Sequence, residues 1–509
     1  MDRIFGIDLG TTNSVIAYTD RDAITEVIAG QDGNRIVPSV VYFAKDGSQI
    51  VGTSARQRAI IEPERVAMLF KRGMGEKTFL PNEEPFIADG RTYSPEELSA
   101  SVLKKLAGMA QERYGEPVRK VVITVPAYFG DHERAATKSA GEIAGLEVMH
   151  IVNEPTAAAI ARGLDTASTG ERFLVFDLGG GTFDVTVMQV AADGSMTVLA
   201  TDGDRKLGGM DFDNLILDKM IATARQGGLD IETEAWARQD AYGKAEALKK
   251  ELSTLESAST SLTGSGRPLP FEMTRAQFEK LIKDKVTATE DTTMYTLEAA
   301  GLRPADISTV LMVGGSSRIP AFQRMLARVF GQPPEFSRNL DEDVARGAAM
   351  LGAKEGADLD PRTTLAMMKK PVDVCAKGLG ITALNDDRVM RNFILIPGQT
   401  PVPADGDDTF NTVEEGQTRV DVKLNEGDEE DLEFVKELGM STGRFGRPVR
   451  QGYPFKVTIS YDRAGMIEVN AYDGETGQHM CKFTVDRPSN LAAGQVAEAT
   501  ALYRRTKVS

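Results

Sequence analysis

The sequence has few cysteines, no long apolar run and no excess of positive charge. Cys375 and Cys481 are the only cysteines among 509 residues, which favours a reducing cytoplasm as the location. No apolar run approaches the ~20 residues of a membrane helix, and the start of the chain lacks the plan of a signal peptide. The net charge of −16 argues against nucleic acid and anionic membranes as default partners.

Length and composition bound the number of domains. A chain of 509 residues is too long for one hydrophobic core and suggests about three units. Apolar residues make up 41% of the chain and charged residues 26%, as is typical of a soluble globular protein. Acidity alone identifies no partner, so the function has to be inferred from motifs.

One short sequence motif occurs twice, as Asp8–Thr12 and as Asp177–Thr182. Each copy follows an apolar run and precedes a second apolar or alternating run, which predicts a β-hairpin with a tight turn. Glycines in such a turn let backbone N–H groups converge on an anion, and the aspartate at the strand end can hold a hydrated metal ion. A single Gly-rich hairpin is usually only a hairpin, whereas two matched copies indicate phosphate binding.

The chain resembles the seventy-kilodalton heat-shock chaperone family in four segments that occur in the family's order and spacing. These segments are Gly6–Ser14, Val152–Ala158, Asp177–Asp184 and Gly314–Pro320. The resemblance implies an α/β protein in which a duplicated actin-like or sugar-kinase-like ATPase fold is followed by a small β-sandwich. It also implies ATP or ADP and Mg²⁺ as ligands, with K⁺ as an optional further ion.

The resemblance and the strand pattern together predict the domain boundaries. Alternating segments such as Thr418–Leu424 and Phe455–Tyr461 favour strands in the last third of the chain. Family members carry a long helical lid after these strands, whereas this chain offers one short helix at most. Four segments are expected: an ATPase domain at 1–357, a linker at 358–373, a peptide-binding β-sandwich at 374–487, and a short helix or tail at 488–509.

The ATPase domain is predicted to consist of two related halves. The pattern predicts a helix from Pro95 to about Tyr114, a buried strand over Val121–Val125 and a helix near Asp131–Ala144. A second apolar strand, Ile307–Val313, precedes a glycine turn and a helix over Pro320–Val329. Duplicated lobes with a ligand between them are expected to have a cleft and a hinge.

The resemblance assigns the chemistry of ATP hydrolysis to a small set of residues. Asp8 and Asp177 would hold Mg²⁺ through water, and Lys71 would reach the γ-phosphate and the attacking water. Glu154 would lie near the same water and ion. Without the resemblance, Lys71 is typical of a surface lysine after an apolar run, and Glu154 of an ordinary acid at a helix start. The expected catalytic residues are Asp8, Lys71, Glu154, Asp177 and Thr182.

Further residues are expected to bind the nucleotide itself. Arg318 would stack its planar guanidinium on the adenine. Spacing of three and four residues places Glu246, Lys249, Lys250 and Ser253 on one helical face, a pattern that on its own more often marks a solvated, salt-bridged helix. The full set is Gly10, Thr11, Thr12, Asn13, Gly179, Gly180, Gly181, Gly209, Glu246, Lys249, Lys250, Ser253, Gly314, Gly315, Ser316, Arg318 and Asp341.

Two further groups of residues follow from the resemblance. Pro126 and Arg134 match the family's switch proline and its partner arginine, although Pro126 can equally be a rigid strand end. Apolar alternation in the β-sandwich is core by default, so the peptide site is an expectation of the resemblance alone. The expected peptide-binding residues are Ile381, Leu384, Val413 and Val420.

The linker departs from the family's apolar pattern. The chain has Lys369, Lys370 and Pro371 before Val372, and proline lacks the N–H that a strand donates. We therefore expect this segment to pair poorly with a sheet edge, and the coupling between the ATP and peptide sites to be weak.

The leading interpretation is an ATP-dependent molecular chaperone that hydrolyses ATP to ADP and phosphate and binds unfolded or extended polypeptides. A J-domain co-chaperone is an expected partner. A nucleotide-exchange factor is left open, because the hairpin around Thr263–Pro268, in a polar helical insertion over 205–300, is short. Two alternatives remain: a small-molecule kinase on the same fold, and a nucleotide-gated scaffold with little turnover that binds one partner.

Overall fold

The structure, a computed structural model, is an α/β protein with several sheets. It describes residues 3–509 apart from 76–84, 164–167, 337–338, 357–358, 370, 373, 386, 463–465, 487–490 and 492. Within these described ranges, no helix is both long enough and apolar enough to cross a membrane.

The first lobe is built around an antiparallel hairpin. Its elements are β1 (Ile4–Leu9), β2 (Asn13–Thr19), β3 (Thr25–Val27), β4 (Val37–Pro38), β5 (Val40–Phe43), β6 (Gln49–Val51), α1 (Thr53–Arg58), β7 (Val66–Met68), β8 (Phe86–Ala88), β9 (Arg91–Tyr93), α2 (Pro95–Tyr114), β10 (Lys120–Val125), α3 (Asp131–Ile143), β11 (Glu147–Asn153) and α4 (Glu154–Arg162). The main sheet has the order β11-β10-β1-β2-β3, with β4 also on β2. Strand β1 pairs antiparallel with β2 and parallel with β10. A smaller sheet has the order β6-β5-β7.

The second lobe repeats this plan. Its elements are β12 (Arg172–Leu178), β13 (Phe183–Val190), β14 (Met196–Asp204), α5 (Gly209–Gln226), α6 (Ala235–Leu252), β15 (Ser257–Leu262), β16 (Leu269–Thr274), α7 (Arg275–Leu281), α8 (Lys283–Ala299), β17 (Thr309–Val313), α9 (Pro320–Phe330), β18 (Glu335–Phe336), α10 (Asp343–Glu355) and α11 (Thr364–Met367). Strand β12 pairs antiparallel with β13 and parallel with β17. The strand–turn–helix units predicted in both halves are present, at β10–α3 and β17–α9.

Helices α4 and α10 cross between the two sheets, and small residues let them approach closely. The alanines of α4 pack on strands of the second sheet, whereas Ala345 and Ala349 of α10 pack on the first. A β-carbon on Gly347 would overlap the carbonyl oxygen of Ala157, and one on Gly6 would overlap the backbone of α10. The crossing therefore depends on glycine at these contacts.

Gly347→Ala should destabilise the protein by about 1–3 kcal/mol, because the added methyl group overpacks this crossing. Gly108→Ala is the matched control, since Gly108 also lies in a helix interior, on α2, but has no other heavy atom within 4 Å of the new β-carbon. The control should raise stability by about 0.5–1 kcal/mol. Urea unfolding of both variants measures the difference, and equal midpoints would contradict the close crossing.

The last third of the chain forms two facing four-stranded antiparallel sheets. Its elements are β19 (Leu379–Leu384), β20 (Met390–Ile396), β21 (Ala404–Asn411), β22 (Gln417–Glu426), β23 (Lys436–Val449), β24 (Pro454–Tyr461), β25 (Met466–Asp473), β26 (His479–Asp486) and α12 (Ala493–Tyr503). The sheet orders are β20-β19-β22-β23 and β21-β24-β25-β26. Apolar residues from both sheets share one core, so we call this part the β domain. Helix α12 lies apart from that core and packs against α3 of the first lobe.

The β domain rests against both lobes. Glu426 Oε1 accepts the backbone N–H of Asp131 at 3.0 Å, and Tyr461 donates its hydroxyl to Asp131 Oδ1 at 2.9 Å. On the second lobe, the side chain of Gln399 bonds to both the N–H and the carbonyl of Thr201 at 2.9 Å. These contacts come from side chains that no sequence pattern had selected.

Candidate active site

The two predicted phosphate turns face each other across a cleft between the lobes. A β-carbon on Gly180 would overlap Thr12, and one on Gly181 would overlap Thr11, so the turns are as close as glycine permits. The cleft has a volume of about 1360 Å³ and is lined by both lobes. It is large enough for a ligand the size of a nucleotide.

Most of the predicted catalytic and nucleotide-binding residues line this cleft. Two of them, Gly181 and Gly209, do not line it. The carbonyl oxygen of Gly181 accepts a hydrogen bond from Arg72, and that of Gly209 accepts one from Lys249. Those that line it are Asp8, Gly10, Thr11, Thr12, Asn13, Lys71, Glu154, Asp177, Gly179, Gly180, Thr182, Glu246, Lys249, Lys250, Ser253, Gly314, Gly315, Ser316, Arg318 and Asp341.

A buried ion pair joins Lys71 to Glu154. Lys71 Nζ lies 2.6 Å from Glu154 Oε1, and both side chains are buried. Lys71 belongs to a short 3₁₀ turn, Phe70–Gly73, which follows Leu69 at a φ of 63°. That left-handed conformation costs about 1–2 kcal/mol for a residue with a β-carbon. Glu154 opens α4, where the helix dipole favours an acid.

Three aspartates surround this ion pair: Asp177 and Asp184 are buried, and Asp8 is half-buried. Burial, followed by the charge of Glu154, raises the pKa of Asp8 to about 7. The same two causes raise the pKa values of Asp177 and Asp184 well above their usual range. Lys71 opposes the increase in all three pKa values, so its charge is shared among the carboxylates. The floor of the cleft therefore carries more buried acid than Lys71 can neutralise.

The aspartates at the two strand ends fit a hydrated divalent cation. Asp8 and Asp177 lie beside glycine turns whose backbone N–H groups can hold phosphate, and a bound cation would favour the ionised form of both carboxyl groups. Within the described ranges, no group of three or more acidic, histidine or cysteine side chains is arranged to ligate a metal directly. Mg²⁺ usually keeps several waters beside one or two carboxylates, so the donor set suits that ion.

Arg72 holds the second glycine turn, although the motifs gave it no role. Its Nε donates to the carbonyl oxygen of Gly181 at 2.8 Å, and its Nη2 lies 2.6 Å from Asp211 Oδ2. Arg72 directly follows Lys71, so one short segment of the first lobe reaches both the acidic cluster and the second turn. Two adjacent cations after an apolar run were the available signal in the sequence.

Helix α6 presents its charged face to the cleft and is held there by ion pairs. Lys249 Nζ lies 2.8 Å from Asp213 Oδ1, and Lys250 Nζ lies 2.7 Å from Glu246 Oε1. Glu246 also pairs with Arg56 of α1. That pair crosses from one lobe to the other at the mouth of the cleft.

Arg318 and Asp341 lie together on the far wall of the cleft. Arg318 Nη2 is 2.9 Å from Asp341 Oδ2, and the arginine side chain is half exposed. The guanidinium is therefore oriented by a carboxylate at a position that a planar ring could approach. Its stacking on adenine stays a prediction.

Comparison with known proteins agrees with this geometry. The model of the family described as Hsp70 protein matches residues 4–504. The chain belongs to the Hsp70 family. Proteins named Chaperone protein DnaK from Thermotoga petrophila and from Thermotoga maritima are each 40% identical to it over 503 residues. Each match covers 95% of this chain and 80% of the relative.

Pro126 and Arg134, the two residues expected to form the Hsp70 switch, do not line the cleft. Arg134 Nε donates to the carbonyl oxygen of Phe129 at 2.9 Å, and the Arg134 guanidinium also bonds to Asn153, the residue before Glu154. Pro126 directly follows β10, and the N–H of the next residue, Ala127, donates to Asp184 at 2.9 Å. The segment after β10 is thus bonded to the acidic cluster and to the start of α4.

The four residues expected to bind peptide do not share one exposed surface. Ile381 and Val420 are 2% and 6% exposed and belong to the core of the β domain. Leu384 is half-buried at the end of β19, and Val413, beyond β21, is 46% exposed. Their role in peptide binding stays a prediction.

The linker contacts a sheet edge through Val372, which forms an isolated β-bridge with Thr197. Val372 N–H donates to the carbonyl of Met196 at 2.8 Å, and the N–H of Val198 donates to the carbonyl of Val372 at 3.0 Å. Pro371 does not prevent this, because Val372 makes both bonds, while Lys369 pairs with Asp193 at 3.1 Å. Lys370 lies outside the described residues.

Asp8→Asn should raise the thermal midpoint of the ligand-free protein at pH 8. The folded-state pKa of Asp8, about 7, is raised above the unfolded value of about 3.9. Ionisation of Asp8 therefore lowers folding stability as pH rises from about 4 to 7, and asparagine lacks this penalty. We expect a gain of about 2–6 °C at pH 8 and a much smaller gain at pH 5.

Scanning calorimetry at the two pH values measures this effect. Asp291→Asn is the control, because Asp291 is an exposed aspartate on α8. A gain of equal size for Asp8→Asn at pH 5 and pH 8, or a loss at pH 8, would rule out a raised pKa at Asp8.

Proposed function

We propose that this Hsp70-family chain is an ATP-dependent molecular chaperone that hydrolyses ATP to ADP and phosphate in the cleft. The observation that carries the proposal is the Lys71–Glu154 pair, 2.6 Å apart, set among buried aspartates between two facing glycine turns. The family membership supports the same activity. The β domain is the part that binds unfolded or extended polypeptides.

The proposal also assigns each part of the chain to a domain or a connecting segment. The two lobes with matching hairpins form a duplicated actin-like ATPase domain over residues 1–357, and residues 374–487 form a peptide-binding β-sandwich. Residues 358–373 connect them, although Leu365 and Met368 are buried against the ATPase domain. Residues 488–509 are the expected short helix or tail, and α12 (Ala493–Tyr503) lies within this range. A J-domain co-chaperone remains the expected partner, and a cytoplasmic location remains a prediction of the sequence.

The two glycine turns and four side chains of the cleft have proposed roles in hydrolysis. Backbone N–H groups of the two turns would hold the phosphates, and Asp8 and Asp177 would hold Mg²⁺ through water. The ion would supply positive charge beside the phosphates. Lys71 places its ammonium against the charge that develops in the transition state, and Glu154 orients the attacking water and holds Lys71.

A bonded path leads from this chemistry to the β domain. Asn153 precedes Glu154 and bonds to Arg134, whose helix α3 begins at Asp131. Asp131 in turn bonds to Glu426 and to Tyr461 of the β domain. A shift of Glu154 with the nucleotide state therefore has a continuous route to the domain interface.

Peptide capture suits the β domain because strands offer backbone hydrogen bonds to any extended segment, whatever its sequence. The decisive test is the steady-state ATPase rate with and without an extended apolar peptide. A rate that rises with peptide supports the chaperone. Phosphorylation of a sugar or polyol in a substrate panel would instead support the kinase, and tight ATP binding with no peptide effect would support the scaffold.

Lys71→Ala should lower ATP turnover by at least ~10³-fold while leaving nucleotide affinity within about threefold. The lysine acts on charge that develops in the transition state, whereas affinity comes from many backbone donors and from α6. Single-turnover hydrolysis and calorimetric ADP binding measure the two quantities. Lys45→Ala is the control, since Lys45 is an exposed lysine of the same lobe. Parallel loss of binding and turnover would contradict the role.

Val372→Pro should reduce the peptide effect on ATP turnover by at least about threefold, because proline removes the N–H bonded to Met196. Basal turnover should stay within about twofold, since Val372 lies outside the cleft. Lys369→Ala, which breaks only an exposed ion pair, should keep the coupling. If Val372→Pro retains full stimulation, the pairing of the linker with β14 does not transmit the signal.

A further inference from the structure

The first phosphate turn, residues 10–13, is held in place by buried side-chain hydroxyl groups. The turn joins β1 to β2, and β4 pairs with the start of β2 beside it. A single residue, Ser39, links β4 to β5 at this point. The sequence motifs gave Ser39 no role, and it is not one of the residues assigned to ATP hydrolysis above.

Three hydrogen bonds form a closed ring between Ser39, Ser14 and the backbone of Gly10. Ser39 Oγ donates to the carbonyl oxygen of Gly10 at 2.7 Å. A hydroxyl has one proton, so Ser39 accepts at its 2.9 Å contact with Ser14 Oγ, and Ser14 is the donor there. Ser14 Oγ in turn accepts the N–H of Gly10 at 3.2 Å. We call Ser14 and Ser39 the serine pair; each hydroxyl donates once and accepts once.

The serine pair is buried, so water cannot replace these bonds. Ser14 is 0% exposed and Ser39 is 1% exposed. A buried polar group that loses its partner is costly, because no solvent compensates for the lost bond. The backbone of Ser39 adds a further bond, from its N–H to the carbonyl oxygen of Thr12 at 2.9 Å. Ser39 therefore holds the phosphate turn at two of its carbonyl groups.

These bonds leave two consecutive donors of the turn without a protein acceptor. The N–H of Gly10 is occupied by Ser14. In the part of the chain that the structure describes, neither Thr11 nor Thr12 donates its backbone N–H to any acceptor. Consecutive free N–H groups in a turn can form a concave anion site. Thr11 and Thr12 both line the cleft, so their N–H groups are the donors that this turn offers to a phosphate.

The hydroxyl of Ser39 fixes the direction of the first of these donors. The carbonyl of Gly10 and the N–H of Thr11 belong to one planar peptide group, in which they point in opposite directions. Ser39 holds the carbonyl end of this group, so the N–H end cannot rotate independently. A donor fixed in advance binds an anion more tightly than one that has to be ordered during binding.

The second phosphate turn is held by other means. The carbonyl oxygens of Gly179 and Gly180 accept backbone N–H groups from the start of α5, at 3.0 and 2.8 Å. The side chain of Arg72 holds the carbonyl oxygen of Gly181. The serine pair therefore acts on the first turn alone, and changes to it leave the bonds of the second turn in place.

We propose that Ser39, supported by Ser14, is a positioning residue for the phosphates of the nucleotide. Its hydroxyl would contact no phosphate oxygen, because it is bonded to Gly10 and Ser14; it sets the direction of a backbone donor that does. This inference rests on the proposed function, since it concerns how the same cleft binds its nucleotide. The serine pair should therefore contribute to the affinity for ligands that carry phosphates and not to the affinity for the nucleoside alone.

The test compares calorimetric binding of Mg²⁺·ADP with that of adenosine, which lacks phosphates. Ser39→Ala removes the bond to Gly10, and Ser14→Ala removes the support of that bond. Each variant should bind Mg²⁺·ADP at least about tenfold more weakly than the natural chain, and adenosine within about twofold. Thr19→Val is the control, since it removes a hydroxyl–hydroxyl bond of the same length, 2.9 Å to Thr25, at the far end of β2. The control should bind both ligands as the natural chain does.

The outcomes separate this inference from the proposed function. If the natural chain does not bind Mg²⁺·ADP, the proposed function fails and this inference fails with it. If the natural chain binds Mg²⁺·ADP and both serine variants bind it equally well, only this inference is overturned. An equal loss of affinity for both ligands would also overturn it, because the serine pair would then support the lobe as a whole. Circular dichroism checks that each variant is folded, and where one serine variant does not fold the other decides.

Discussion

Buried negative charge at the floor of the cleft is the constraint on which the rest of the structure depends. Asp177, Asp184 and Glu154 are buried there beside the half-buried Asp8, and the charge of Lys71 is shared among them. Such burial destabilises a protein unless opposite charge compensates. A cation with a polyphosphate would supply that compensation, because the ion meets the carboxylates and the backbone N–H groups of the turns meet the phosphates. Binding of such a ligand would therefore stabilise the folded protein.

Both lobes contribute acidic side chains to the floor of the cleft. Each lobe contributes one hairpin turn and one strand-end aspartate, and glycine at both turns lets the lobes meet. Arg72 and the pair between Arg56 and Glu246 join the lobes at two levels of the cleft. Because Glu154 opens α4 and Asn153 bonds to Arg134, a change at the cleft floor can reach the surface on which the β domain rests.

Patterns in the sequence predicted the local elements, and the family resemblance predicted fewer than half of the residues that line the cleft. The hairpin turns, the helix over Pro95–Tyr114 and the strand–turn–helix units depend on periodicity and turn residues, which are local signals. Arg72, the pairing of Val372 and the contact between Asp131 and Glu426 depend on tertiary neighbours, and no local pattern encodes those. Among the described residues of the linker, Val372 alone bridges the edge of β14, so poor pairing of the linker and weak coupling between the two sites stay predictions.

The most direct measurement of the central claim is calorimetric binding of Mg²⁺·ADP at pH 6 and pH 8. A carboxylate whose pKa is about 7 must lose its proton before it can face the ion. We expect at least about tenfold weaker binding at pH 6 than at pH 8 for the natural chain, and a smaller difference for Asp8→Asn, in which Asp177 still has to lose a proton. An affinity of the natural chain that is the same at both pH values would contradict the account.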